Sequence, residues 1–125
     1  MPREVIVPEH GPPPSGAYSP VVRAGPFLYV SGQGPTDPES GRIVGASVRE
    51  QVNRTMRNLE LQLNGAGASL DDVVKVQVYL AHIQDFDEFN LVYSSFFSVA
   101  PPARTTIGAE LSDILIEIDA VAYTG

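Results

Sequence analysis

The sequence predicts an α+β fold, a β-sheet with two helices packed on one of its faces. Residues alternate in character with a period of two over Val74–Leu80 and again over Arg104–Val121, which marks strands with one buried face. A capping box, Ser47-x-x-Glu50, precedes Val48, Val52, Met56, Leu59 and Leu63 at helical spacing. The elements run strand, strand, helix, strand, helix, strand, strand, an order that suggests a two-layer sandwich.

Residues 1–16, with Pro2, Pro8, Pro12, Pro13 and Pro14, read as an extended or irregular arm. Tyr18–Arg23 is a short strand, Gly25-Pro26 a turn, and Phe27–Ser31 the first long strand. Ser31-Gly32-Gln33-Gly34-Pro35 follows, where two glycines allow a sharp turn or a close approach to a ligand. Asp37–Gly41 is a surface turn, and Ile43-Val44 adds a short strand. The first helix keeps Arg49, Asn53, Arg57 and Glu60 outside and stops at Gly65 and Gly67. After the Val74–Leu80 strand, Asp85-x-x-Glu88 caps a second helix whose Phe86, Phe89, Tyr93, Phe96 and Phe97 form an aromatic stripe, read as core packing. Ala100-Pro101-Pro102 ends that helix.

The C-terminal stretch reads as a hairpin turning at Ser112-Asp113. In that register Leu111 faces Ile114, Ala109 faces Ile116, Ile107 faces Ile118 and Thr105 faces Ala120, all on one apolar face. The other face pairs Arg104 with Val121, Thr106 with Asp119, and Gly108 with Glu117, so a guanidinium, two carboxylates and a hydroxyl share it. Leu115, Val121 and Tyr123 lie on that face too, more apolar surface than open solvent favours.

At 125 residues the chain is one domain, 1–125, long enough for a substantial core. A net charge of −7, with eight scattered Lys and Arg, argues against nucleic acid as a partner. The absence of cysteine excludes disulfides and thiol chemistry, and His10 and His82, surface or loop residues by context, offer no spacing for a metal site. Met1-Pro2-Arg3-Glu4 opens with charge, and no signal peptide or membrane-length apolar run is visible, so a cytoplasmic location with no membrane partner is expected.

Several short stretches, in order, carry a resemblance. They are Ala17-Tyr18-Ser19, Val30-Ser31-Gly32-Gln33, Asp37–Gly41, Asn58-Leu59, Ala66–Lys75, Asp85-Phe86 to Asn90, Pro102-Ala103-Arg104 and Ile116-Glu117-Ile118. Together they resemble the RidA/YjgF family of enamine/imine deaminases over roughly residues 10 to 123. The resemblance implies a chorismate-mutase-like two-layer sandwich with a mostly antiparallel sheet, a homotrimer with ligand clefts between subunits, and no cofactor. It implies hydrolysis of 2-imino or 2-aminoacrylate-type acids to 2-keto acids and ammonia. By position, Arg104 would grip the substrate carboxylate and Glu117 would place or activate water, with Tyr18, Ser31, Gly32, Asn90 and Thr106 lining the pocket. The chain departs from the family at Ala17, Thr105, Gly108 and the shortened Leu111-Ser112-Asp113 turn, which bears on substrate choice rather than on fold.

Imines hydrolyse readily, so a carboxylate anchor, a held water and a proton-handling group suffice. Read from residues alone, Arg104 is a structural ion-pair partner of Glu117 or Asp119; the resemblance turns the reading to an anchor, for which a planar guanidinium is suited. Glu117 read alone is a solvated strand face, and Asp119 is assigned to that face. Asn90, one helical turn after Phe86, is equally a loop partner or a ligand contact; Tyr18 equally packs or covers a ligand; Ser31-Gly32 is a plain turn or a pair of backbone donors. Two other functions compete: a trimer that holds small carboxylates without turnover, and the endoribonuclease or translation-inhibitor role also attached to the family, which the acidic balance disfavours.

Overall fold

The computed structural model describes residues 2–97 and 99–125. Six strands form one sheet: β1 (Glu4–Ile6), β2 (Val21–Ala24), β3 (Phe27–Gln33), β4 (Val73–Leu80), β5 (Ala103–Gly108) and β6 (Ile116–Tyr123), in the spatial order β1-β2-β3-β6-β4-β5. Every neighbouring pair is antiparallel except β4 and β5. Helices α1 (Val48–Gly65) and α2 (Phe86–Ser94) pack against each other, with α1 lying on β3 and β6. The mostly antiparallel α+β sandwich is therefore as expected.

Helix α1 starts where the sequence says it should. Ser47 Oγ accepts from the Glu50 amide at 3.2 Å, and the Glu50 carboxylate accepts from the Ser47 amide at 3.2 Å. Those bonds, the serine hydroxyl's first, hold the Glu50 carboxyl below its ordinary pKa. It ends in a Schellman motif: the Ala68 amide reaches Leu63 O at 2.9 Å, the Gly67 amide reaches Asn64 O at 3.1 Å, and Gly67 takes φ +87°. Val52, Met56, Leu59 and Leu63 are fully buried against Leu28, Val76, Val78, Ile116 and Ile118. Each such side chain contributes about 2 kcal/mol by removal from water. Interleaved with them, Gln51, Thr55, Asn58 and Gln62 are also buried, a polar row the apolar periodicity conceals.

The C-terminal hairpin does not form. β5 runs parallel to β4, and β6 lies on the other side of β4, paired antiparallel to it and to β3. The reason is the helix before β5. A chain that leaves β4, crosses over through α2 and returns is delivered parallel to β4 at the sheet edge. Residues 109–115 then carry it past the end of β4 into the open slot beside β3, with Asp113 at φ +63° and the Ala81 amide bonded to Leu115 O at 3.0 Å. Period-two alternation reports which residues share a face, not which of the two faces is covered or which strand they pair with.

The faces of β5 are also reversed. Arg104 and Thr106 register with the buried Val76 and Val78 under the helices, whereas Thr105 and Ile107 point away and are exposed. Gly108 registers with Leu80 and lies near Ile83, not beside Glu117. Smaller corrections share one cause, the local hydrogen-bond ladder overriding pattern. The proline-rich arm contributes β1 to the edge of β2. A register shift between Val73 and Lys75 buries Val73 and exposes Val74. Ile43 makes an isolated bridge to Thr36 without a strand at Ile43-Val44, and Asp85 makes no side-chain cap at α2. Among the described residues, no helix is long and apolar enough to cross a membrane, and no group of three or more His, Cys, Asp and Glu is placed to hold a metal ion.

Candidate functional site

The residues singled out by sequence fall into two groups, one on each face of the sheet. On the helix side, Arg104 Nη1 donates to Asn90 Oδ1 at 2.8 Å. Its guanidinium carbon lies 4.8 Å from the Tyr93 ring centre, 5.3 Å from that of Phe89 and 5.5 Å from that of Phe86. The aromatic stripe is thus core packing that also walls a cation, through ring faces that attract positive charge. Among the described residues no carboxylate stands within ion-pair distance of Arg104. The structural ion pair with Glu117 or Asp119 is ruled out by topology: adjacent β-strand residues point to opposite faces, and β4 pairs Val76 with Arg104 but Tyr79 with Glu117.

A hollow of about 380 Å³ opens beside Arg104, Asn90, Tyr93 and Pro102. The hydroxyls of Tyr93 and Thr106 are buried on this side without a hydrogen-bond partner among the described residues. Burial pushes the Tyr93 hydroxyl up to about 12, against the opposing charge of Arg104, so it remains a donor at neutral pH. Arg104 and Tyr93 line this hollow and Thr106 does not; the unused guanidinium N–H groups are its donors for an anion, with the planar fork of Arg104 matched to a carboxylate.

The second group lies on the uncovered face. Glu117 and Asp119 are side by side on β6, half-buried, and face Tyr79 and Gln77 of β4. β3 bulges opposite them: Val30 pairs with Ala120 and Gln33 with Ile118, so Ser31 and Gly32 together oppose Asp119. The Glu117 carboxylate rests on Gly32, where any Cβ would collide with its Oε2. Ser31 Oγ donates to Ser19 O at 2.6 Å, and the exposed Tyr18 accepts from the Ser15 amide at 3.1 Å. These side chains border a hollow of about 560 Å³ with Ser15. Burial first, and the neighbouring Asp119 second, raise the Glu117 pKa; burial likewise raises that of Asp119, against the Tyr79 hydroxyl.

A sequence profile described as Endoribonuclease L-PSP matches residues 8–124. The chain belongs to this family, the RidA/YjgF family. It is 46% identical over 125 residues to a RutC family protein of Pyrococcus abyssi, covering 98% of both chains. It is 38% identical to the 2-iminobutanoate/2-iminopropanoate deaminase of Rattus norvegicus, covering 98% of this chain and 91% of the rat protein. Its fold superimposes on a crystal structure of E. coli TdcF with bound serine at a TM-score of 0.91, with 29% identity and coverage of 98% and 99%.

The RidA/YjgF fold brings together Arg104, Asn90 and Thr106 in one group and Tyr18, Ser31, Gly32 and Glu117 in the other, and does not join the two groups within a chain. Sequence reasoning left Asp119 as a solvated strand face; it instead shares the hollow with Glu117. It also missed the rings that enclose Arg104. Reading Phe86-to-Arg104 as a crossover that returns beside β4 would have placed α2 over the first residues of β5.

Proposed function

We propose that the protein is a cofactor-independent deaminase that hydrolyses 2-imino acids and their 2-aminoacrylate-type tautomers to 2-keto acids and ammonia, working as a homotrimer with its clefts between subunits. The observation that carries this reading is Arg104, a partly buried guanidinium walled by three aromatic rings and bonded to a neutral amide rather than to a carboxylate. Removing that charge from water is costly without an anion. The substrate carboxylate supplies one. The name of the rat relative supports the imine as substrate, and the serine bound to TdcF is a carboxylate of the right size.

In the proposed reaction Arg104 holds the carboxylate, Asn90 fixes the guanidinium, and Tyr93 lines the anion site. Glu117 takes a proton from a water whose oxygen bonds to the carbon of the iminium, the imine already protonated on nitrogen by solvent, and a carbinolamine forms. Glu117 then returns that proton to the amine nitrogen as the carbon–nitrogen bond breaks; ammonia leaves, the hydroxyl gives its proton to water and the carbonyl remains. A carboxylate whose pKa lies above the usual range is a stronger base than an ordinary one near neutrality.

Two half-sites on opposite faces meet only if another copy brings the second half. Such a contact joins unlike surfaces, the kind that makes a ring where the rotation between copies closes. The uncovered sheet face supports it, because Val5, Phe27, Tyr29, Ile107 and Tyr123 are exposed there. Three copies is the number the family resemblance implies.

The test is release of keto acid from 2-aminoacrylate and 2-iminobutanoate generated in situ by a limiting enzyme, with spontaneous hydrolysis as baseline. Acceleration by the wild type, abolished in Arg104→Ala, is the expected result. No acceleration with any imine sinks the deaminase, and carboxylate binding that persists would then favour a trimer that holds metabolites without turnover. A net charge of −7 weighs against a ribonuclease.

A further inference from the structure

The bulge that carries Ser31 and Gly32 interrupts the β3–β6 ladder, so its backbone groups need partners elsewhere. One set comes from the arm side: the Ser31 amide bonds to Pro20 O at 3.0 Å and its hydroxyl to Ser19 O. The other comes from the protein interior. Gln33 Nε2 donates to Ser31 O at 3.1 Å; behind it, Gln62 Nε2 donates to Pro12 O at 3.0 Å and reaches Gln33 Oε1 at 3.4 Å. One turn earlier on α1, Asn58 Nδ2 donates to both Gly34 O and Thr36 O at 2.8 Å. Gln33, Asn58 and Gln62 are 5%, 0% and 1% exposed.

Buried carboxamides are not the cheapest way to fill a core. A side chain of similar shape without polar atoms is near neutral for stability, provided that nothing is left unpaired. Here the backbone carbonyls of Pro12, Ser31, Gly34 and Thr36 would be left unpaired, and these segments wall the hollows around Glu117. Glu117 Oε2 fills the space that a side chain at Gly32 would take, so the bulge forms one wall of the place where the carboxylate sits. Gly11 is part of the same arrangement, since a Cβ there would collide with Gln62 Oε1.

We propose that Gln33, Asn58 and Gln62 are positioning residues, a relay from the hidden side of α1 that holds the Ser31–Gly32 bulge and thereby sets the place of Glu117. Its catalytic consequence rests on the deaminase reading; its mechanical part does not. None of the three touches the substrate. They act through backbone, and the cost of losing them falls on Glu117 rather than on Arg104, which lies on the other face of the sheet.

The experiment has two arms, each run on Gln62→Leu and on Gln33→Met, the latter reading the relay one link closer to the bulge if the former does not fold. In the first, amide hydrogen exchange at residues 31–36 is expected to speed up by about tenfold or more while Val76 and Val78 in β4 stay protected. Unchanged exchange at 31–36 overturns the relay. In the second, the pH–rate profile is followed for 2-iminobutanoate. Within the chain the groups facing Glu117 are Asp119 on its own strand, Tyr79 on β4 and Tyr18 from the arm, and the proposed assembly adds Arg104 of the partner subunit. A loosened bulge admits water to Glu117, so the acid limb is expected to move to lower pH, with kcat falling about tenfold and KM little changed. A fall in kcat with an unmoved limb overturns the role in positioning Glu117. If the wild type accelerates no imine, the deaminase reading alone fails, and the exchange arm still decides the relay.

Discussion

Arg104 lies beneath α2 against Phe86, Phe89 and Tyr93, held by one neutral amide, whereas Glu117 lies on the uncovered face with Asp119 and Gly32. The first is a ring-walled cation with no carboxylate within ion-pair distance among the described residues. The second is a carboxylate pair with no cation beside it among the described ion pairs, since Lys75 on that face bonds to the Thr105 hydroxyl at 2.9 Å. Each half lacks the charge that the other half carries. The contrast is what the proposed assembly of copies rests on: a single chain holds the two halves on opposite faces of its sheet.

The largest expected effect comes from the half that binds. In the proposed reaction Arg104→Ala removes the two charge-assisted hydrogen bonds that would hold the substrate carboxylate, each worth about 1.5–3 kcal/mol, so kcat/KM for 2-iminobutanoate should fall on the order of 10³-fold. Steady-state kinetics with a limiting imine-generating enzyme check it. A loss of less than about fivefold would remove Arg104 as the anchor and with it the comparison between the halves.

Glu117→Gln should cost about 10²-fold in kcat, the scale of a single acid–base group. The two variants together address the geometry. If the halves meet across subunits, refolding equal amounts of Arg104→Ala and Glu117→Gln chains forms some clefts with both wild-type residues. Random mixing places an intact Arg104 opposite an intact Glu117 in about a quarter of clefts, and activity should recover to that level. Recovery absent from well-formed mixed assemblies would mean that each chain completes its own site.

Asn90→Ala sharpens the description of the binding half. It deletes one side-chain hydrogen bond to Arg104 and leaves the aromatic wall intact, so a loss of roughly tenfold, mainly in KM, is expected. Binding of a carboxylate product analogue, measured by calorimetry, separates this from a change in the chemical step.

How much of this was legible in the sequence depends on which physical signal each element carries. Helix α1 was readable because its cap, stripe and stop are local: Ser47 with Glu50, the Val52-to-Leu63 stripe, and Gly67. Of the alternating Ile114, Ile116, Ile118 and Ala120, the last three form the buried face that was read, and Ile114 lies before the strand and is only partly buried. The partner of β5 was not, because strand pairing is a long-range choice made by the α2 crossover and leaves no local mark. That one error put Arg104 and Glu117 on the same face. The members of each half-site came from the family resemblance; their division between two faces came from the register of β4. The relay residues Gln33, Asn58 and Gln62 were hidden for another reason. A carboxamide is ordinarily a surface residue, and only the placement of Asn58 and Gln62 on the apolar side of α1, and of Gln33 opposite the buried Ile118, distinguishes them.

The smallest effect concerns the protonation of Glu117, and its sign separates the lone chain from the assembly. Burial and Asp119 raise the pKa of Glu117 in the folded chain above its ordinary 4.5, so the folded state binds this proton more tightly than the unfolded chain does. The resulting stability is fully present below about 4.5 and is lost as pH rises through the raised value. Glu117→Gln removes that dependence. In a chain held monomeric by Tyr29→Glu and Tyr123→Glu, it should therefore raise Tm near pH 7 and not near about pH 4. In the proposed assembly, Arg104 of the partner subunit would face the carboxylate and favour its charged form, so the gain at neutral pH should shrink or reverse. Equal gains in both states would place no guanidinium near Glu117, and the two faces of the sheet would then belong to separate sites.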